Sequence, residues 1–462
     1  MKLQMLIILA VGMNTALAAK KPAYETYLEK KYYYSALNEF FYETYDKPIT
    51  EKVVNKLEEI LYFTGVEILE DYDEKLLLKY PSSSIRFIVG RKYYQSKNYK
   101  KALNYLDNIH PKHRYFPEAK MIEAQVHFHL GDKEKEESAV TRCVKSASVQ
   151  ESEAGNKKIA RYYKMIEEVC HINAARNSFT RGEYQQSLEN YKKIPKTSYK
   201  WPYVILEQAW VYYQLGDYNR ALGLLSTYKS PLLDSYFFPE AEYLSALAYF
   251  KLCLYDDSLI ILNQYYKVYR PRFIQLDKVL ATHKKSKTFF YDALTDQVAG
   301  FDANEEFVKK IFTRLKKQIR FSLDSNTIYK LNRELNKIHA SESKDLQKEL
   351  MPHLADVREN IKSKINYNAK KDVFDFLQTV PFFSSELFKL NLEIVARKRD
   401  LLYKNSQLSV DEQKRTRGEF SNVTRTSKEH FWKFEGEFWA DELGDYSLGL
   451  KSNCAEVKVE GK

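Results

Sequence analysis

The side chains best equipped for chemistry are few and poorly grouped. Nine histidines are spread over 462 residues. His127 and His129 lie two apart, and on a helix that spacing sends them to different sides, a poor arrangement for shared metal ligation. His110 and His113 flank a proline and read as solvated connector residues. The acid pairs Asp256-Asp257 and Glu136-Glu137 read as turn and surface carboxylates. No GxSxG, P-loop, HExxH or CxxC motif occurs. The expectation is a protein that is not an enzyme and takes no cofactor or metal. Four cysteines, Cys143, Cys170, Cys253 and Cys454, allow three pairings. Cys143 and Cys170 are nearest in sequence, and free buried thiols are the other reading.

Such residues need elements to hold them, and composition points to helices. Gly (14) and Pro (12) are scarce while Tyr (37) and Phe (26) are abundant, which favours long helices packed by aromatic rings. Residues 1–18 read as a secretory signal: Lys2, an apolar run from Leu3 to Val11, then Ala16-Leu17-Ala18 before the expected cut after Ala18. The mature chain is therefore expected to be soluble and exported. Later apolar stretches, such as Leu244 to Leu262 with Lys251, Asp256 and Asp257 inside it, are too interrupted to span a bilayer. Export makes nucleic acid an unsuitable partner for the net charge of +11 and points to an acidic protein or an anionic envelope surface.

One pattern recurs: a small residue, an aromatic, a turn, a tyrosine, a small residue and a large apolar. It reads Ala209, Tyr212, Gly216, Tyr218, Ala221, Leu225, and again Ala246, Tyr249, Cys253, Tyr255, Ser258, Leu262. Gly90, Tyr93, Tyr99, Ala102 and Leu106 form an earlier copy, and Ala175, Gly182, Tyr184, Ser187 and Tyr191 another. A degenerate copy keeps Ala124 and Gly131 but has Lys133 and Glu136 later, and about 17 extra residues follow it. Small residues let two helices approach closely, and units of this size must stack to bury their apolar faces. Residues 83–270 thereby resemble tetratricopeptide repeat (TPR) proteins.

The resemblance implies an all-α, right-handed superhelix of helical hairpins. It also implies a groove lined by positions 2, 5, 9, 12 and 13 of each first helix. Position 12 here is Tyr94, Phe128, Phe179, Tyr213 and Phe250, aromatic in every copy. Phe87 and Tyr243 stand at position 5, Arg91, Arg176 and Trp210 at position 9, and Tyr203 at position 2. An aromatic lane flanked by arginines suits a peptide with apolar and acidic side chains.

Around the array (81–272) the expected order is capping helices at 19–80, a helical region at 273–405, a linker at 406–429 and an aromatic tail at 430–462. Pro48 should end one capping helix, Thr50 should cap the next through about Phe63, and the repeat pattern fades after Pro271. In the tail, Trp432, Phe434, Phe438 and Trp439 either dock a partner or clasp the helical domain, and YSLGLK alternates like a strand. The export signal with such repeats resembles envelope TPR proteins of Gram-negative bacteria, and the layout with this tail resembles periplasmic members of gliding-type machinery. That likeness implies a non-catalytic scaffold that binds envelope proteins or peptides, with peripheral contact to outer-membrane or cell-wall components. The rival expectations are a peptidoglycan- or glycan-binding module using the basic C-terminal helices, and the accessory region of a cell-wall enzyme.

Overall fold

The structure, a computed structural model, describes residues 21–233, 236–297, 306–403, 420–423, 425, 429–432 and 436–454. The expected signal at 1–18 lies outside them. The described residues are all-α, without strands. The helices are α1 (Ala23–Glu29), α2 (Tyr33–Thr44), α3 (Glu51–Thr64), α4 (Glu74–Leu77), α5 (Ser83–Gln95), α6 (Tyr99–Leu106), α7 (Phe116–Leu130), α8 (Lys133–Ser152) and α9 (Lys157–Thr180). They continue as α10 (Tyr184–Tyr191), α11 (Trp201–Gln214), α12 (Tyr218–Ser226), α13 (Pro239–Lys251), α14 (Tyr255–His283), α15 (Phe289–Leu294), α16 (Glu306–Lys316), α17 (Ile319–Ser341) and α18 (Lys344–Tyr403). None of them is long and apolar enough to cross a membrane.

Two compact units emerge, one of residues 1–85 with 331–354, the other of 86–330 with 355–462. In the first, Phe40 packs against Tyr24 and Tyr80, and Leu57, Ile60 and Leu61 are fully buried. Residues 331–354 belong here although 300 positions separate them from α2. The Glu334 carboxylate accepts the amides of Tyr34 (3.1 Å) and Ser35 (2.9 Å), capping the start of α2 from another helix. Pro48 follows the end of α2 as expected, and Thr50 does precede α3. Its side chain makes no capping hydrogen bond, however.

The second unit is built on five helical hairpins, α5/α6, α7/α8, α9/α10, α11/α12 and α13/α14. Their turns are the same structure five times. Lys97, Gly131, Gly182, Gly216 and Cys253 all have positive φ, between 57° and 78°. Each donates its amide to the carbonyl three residues back, and the next residue donates five back, for example Gly216 to Tyr213 and Asp217 to Tyr212. This is a Schellman ending, which uses a left-handed residue to satisfy the last carbonyls of a helix. Asn98, Asp132 and Asp217 then cap the second helices through their side chains. The small residues sit where the helices cross: a Cβ on Gly90 would lie 2.8 Å from Leu106, and the Ser258 hydroxyl donates to the Ala246 carbonyl at 2.9 Å.

The extra residues after the second hairpin lengthen α8 and α9 to 20 and 24 residues, and the Cys143–Cys170 disulfide joins these two helices. Glu136, expected at the surface, is buried because it stands where the other copies have a small residue. Asn177 donates to one of its oxygens (2.8 Å) and Arg181 to the other (2.6 Å). Glu136→Ala restores the small side chain but strands the buried Asn177 amide, while Arg181 keeps Glu183 at 3.1 Å. It is expected to cost about 1–3 kcal/mol in urea unfolding; an unchanged midpoint would remove Glu136 from the list of α8–α9 cross-links.

Pro271 does not end its helix. α14 runs through it to His283, because buried Tyr265 and Tyr269 on one side of the proline and Leu276, Val279 and Leu280 on the other keep both halves packed. The Arg272 guanidinium adds contacts to the rings of Phe237, Tyr269 and Phe307.

Candidate partner-binding site

The position-12 aromatics share a local partner. Tyr94 meets Tyr99 (6.3 Å between ring centroids), Phe179 meets Tyr184 (5.5 Å), Tyr213 meets Tyr218 (5.5 Å) and Phe250 meets Tyr255 (5.6 Å). Each pair closes its own hairpin turn, five residues apart, and explains why the position is always aromatic. The degenerate hairpin proves the rule, since Lys133 replaces the tyrosine and Phe128 instead lies beneath the Arg181 guanidinium (5.8 Å). These rings are half-buried rather than buried, so one side of each remains accessible.

The other lane residues divide into two groups. Towards the later hairpins the lane is already occupied. Arg314 of α16 donates to the Tyr203 hydroxyl at 2.9 Å and lies over its ring. Tyr243 contacts Phe383 of α18 (5.5 Å), and Phe250 belongs to the same cluster as Val380, Leu387, Leu390 and Ile394 of α18. The hydroxyls of Tyr265 and Tyr266 fasten α18 further, donating to the carbonyls of Val380 (2.7 Å) and Ser384 (2.9 Å) on either side of Pro381.

Earlier in the lane the side chains are held by their neighbours. Arg176 makes a two-pronged contact to Glu207 (2.8 and 2.5 Å), which also accepts the Tyr191 hydroxyl (2.6 Å). Arg91 lies over the ring of Phe87, itself buried and stacked on Tyr115. The Trp210 indole donates to Glu240 (2.8 Å) and packs edge-on against Tyr213. Burial pushes the Tyr213 phenol up to about 12 and raises the Glu240 carboxyl. At neutral pH the Tyr213 phenol therefore stays protonated, able to donate a hydrogen bond but not to act as a base.

His127 is buried in α7 while His129 is exposed and stacked on Tyr99, so the two diverge as their spacing requires. Among the described residues no three His, Cys, Asp or Glu side chains gather as a metal site. A concavity of about 350 Å³ is lined by Glu51, Lys52, Asn55, Lys56 and Glu59, all on α3, and is an open polar shelf.

In the tail, Phe438 folds back on the helical hairpins as the clasp expects. Phe438 and Tyr446 pack against the cluster of Trp201, Ile205 and Leu224, and Leu443 is buried there. Trp432 and Trp439 are 82 % and 59 % exposed. Phe434 lies outside the described residues. The expected strand is absent: residues 446–450 run without helix or strand, and their backbone pairs with the Asn219 side chain and main chain, so no ladder can form. Sequence spacing held no signal for Asn219. The last cysteines are paired too, Cys253 with Cys454.

The chain matches no protein-family model, and no curated protein matches it at a significant level.

Proposed function

We propose that the chain is an exported, non-catalytic scaffold of the TPR kind, which holds partner proteins of the cell envelope along the first helices of its hairpins. What carries this reading is that the lane already receives a helix of its own chain: α18 lies on Tyr243 and Phe250. A surface that accepts one amphipathic helix by ring and aliphatic contacts suits another, and helix-in-groove recognition is a standard use of such surfaces. The part left to a partner runs from Arg91 and Tyr94 through Phe128, Arg176 and Phe179 to Trp210 and Tyr213. Its rings supply the apolar anchors, and an acidic residue of the partner would compete with Glu207 for Arg176. Support for the address comes from the composition of residues 1–18 and from two disulfides, which persist in oxidising compartments. Membership of a gliding-type or outer-membrane assembly rests on the layout and tail described above.

The test is capture of envelope proteins by the mature chain, wild type against the double variant Arg91→Ala with Arg176→Ala, both proteins checked by circular dichroism. A defined partner set that the wild type retains and the variant loses by tenfold or more supports the lane. Equal capture by both sinks it, and sedimentation with purified cell wall would favour the glycan-binding reading.

A further inference from the structure

The segment from Leu443 to Cys454 is bound as a peptide ligand is bound. Its backbone supplies most of the polar contacts. Leu450 donates its amide to the Asn219 Oδ1 (2.9 Å), and the Asn219 Nδ2 donates to the Leu450 carbonyl (3.1 Å). The Leu448 amide reaches the Asn219 carbonyl (3.1 Å), and the Asn453 amide the Leu252 carbonyl (2.9 Å). An amide side chain that takes both the N–H and the C=O of one residue reads an extended backbone, whatever side chains it carries.

The apolar contacts are equally local. Leu448 and Leu450, two residues apart, pack on Leu222, Ala248 and Leu252, while Leu443 is buried near Trp201. Between these anchors the segment passes so close to α12 that a Cβ on Gly223 would stand 1.9 Å from the Tyr446 carbonyl oxygen. Glycine inside a helix is a weaker helix former than alanine, so its use here makes room for a ligand backbone. At the far end the Cys253–Cys454 disulfide fixes the segment to the α13–α14 turn.

We infer that the surface of α12 and the end of α13 is a binding site for an extended peptide. Its own tail fills the site while the disulfide is intact, and a partner segment with leucines two apart beside a glycine takes it when the disulfide is opened. This site is separate from the lane proposed above. Opening needs a dithiol reductant. One of its thiolates attacks Cys253–Cys454 and forms a mixed disulfide, which its second thiol resolves. Both chain cysteines end as thiols and the reductant ends as a disulfide. The tail then remains as a tethered competitor, displaced once the free segment exceeds its effective concentration.

The probe is a fluorescent peptide of residues 441–453, titrated into the full mature chain. Oxidised wild type is expected to show no saturable binding, and Cys253→Ser with Cys454→Ser to bind it. Adding Gly223→Ala to that double variant should weaken binding at least tenfold, although alanine favours the helix. Hydrogen exchange on the oxidised chain supplies a readout that needs no added peptide: in the wild type the Leu448, Leu450 and Asn453 amides should be protected, and Gly223→Ala should release them. No binding to the double variant, equal binding with Gly223→Ala, or unprotected amides in the wild type would each overturn the inference.

Discussion

Glu123→Ala is expected to destabilise the hairpin unit by about 3–5 kcal/mol, the penalty for breaking a buried charge pair from one side. Glu123 and Lys120 are each only 2 % exposed. The Lys120 ammonium bonds the Glu123 carboxylate one turn along α7, with Asp107 3.5 Å away as a second, solvent-exposed partner. Arg142 of α8 donates to the other Glu123 oxygen at 2.5 Å. Without the carboxylate, a buried ammonium keeps one distant acid and little water. Arg142 is half-exposed and can turn to solvent, so the loss belongs chiefly to Lys120. Lys120→Met in the same chain should therefore recover a large part of the stability, since methionine fills the space of the lysine without desolvating a charge and only the volume lost at Glu123 remains. All four tryptophans, Trp201, Trp210, Trp432 and Trp439, lie in this unit, so indole fluorescence in urea follows its unfolding. A double-mutant cycle reads the coupling directly. Additive effects of the two substitutions would mean that the pair contributes nothing specific.

The hairpins were legible because their signals are local. Gly216, Tyr218 and Ala221 fall within one turn and one helix start, and the same physics repeats in each copy. The position-12 aromatics were visible but ambiguous: a ring in every copy fits a ligand lane as well as it fits a turn-closing pair. The deciding clue was the tyrosine five residues on, missing only where Phe128 finds Arg181 instead. Long-range closures left no such trace. Nothing near Asn219 announces that it will clamp Leu450, 231 residues later, and no spacing ties Cys253 to Cys454. The clasp of the tail and the lane's occupation by α18 are tertiary facts of this kind. So is the helix through Pro271, where packing on both sides outweighs one lost hydrogen bond.

Such a closure governs the first unit. Glu334 is 6 % exposed, and its carboxylate meets two backbone amides at the start of α2 and the Ser35 hydroxyl at 2.8 Å. The first amides of a helix have no partner within it, and the helix dipole favours negative charge there. Glu334→Ala removes the acceptor while the donors stay buried, an expected loss of about 2–4 kcal/mol. This unit contains no tryptophan, so the measurement is hydrogen exchange at the Tyr34 and Ser35 amides. They should open in the variant while the hairpin unit keeps its protection; protection equal to wild type would refute the cap.

Its pH dependence has a definite sign. Burial pushes the Glu334 carboxyl above its ordinary value of 4.5, more strongly than the bonds from Ser35 and Tyr34 pull it down. The folded unit therefore holds a proton in a window where the unfolded chain has lost it. This contribution is complete below the ordinary value and is lost as pH rises through the raised one. Glu334→Gln cannot titrate and should flatten the stability profile across that window. It should also lose part of the cap at neutral pH, because its amide offers one acceptor oxygen where the carboxylate offers two. If the glutamine variant kept the wild-type slope, the titrating group would have to be another buried acid.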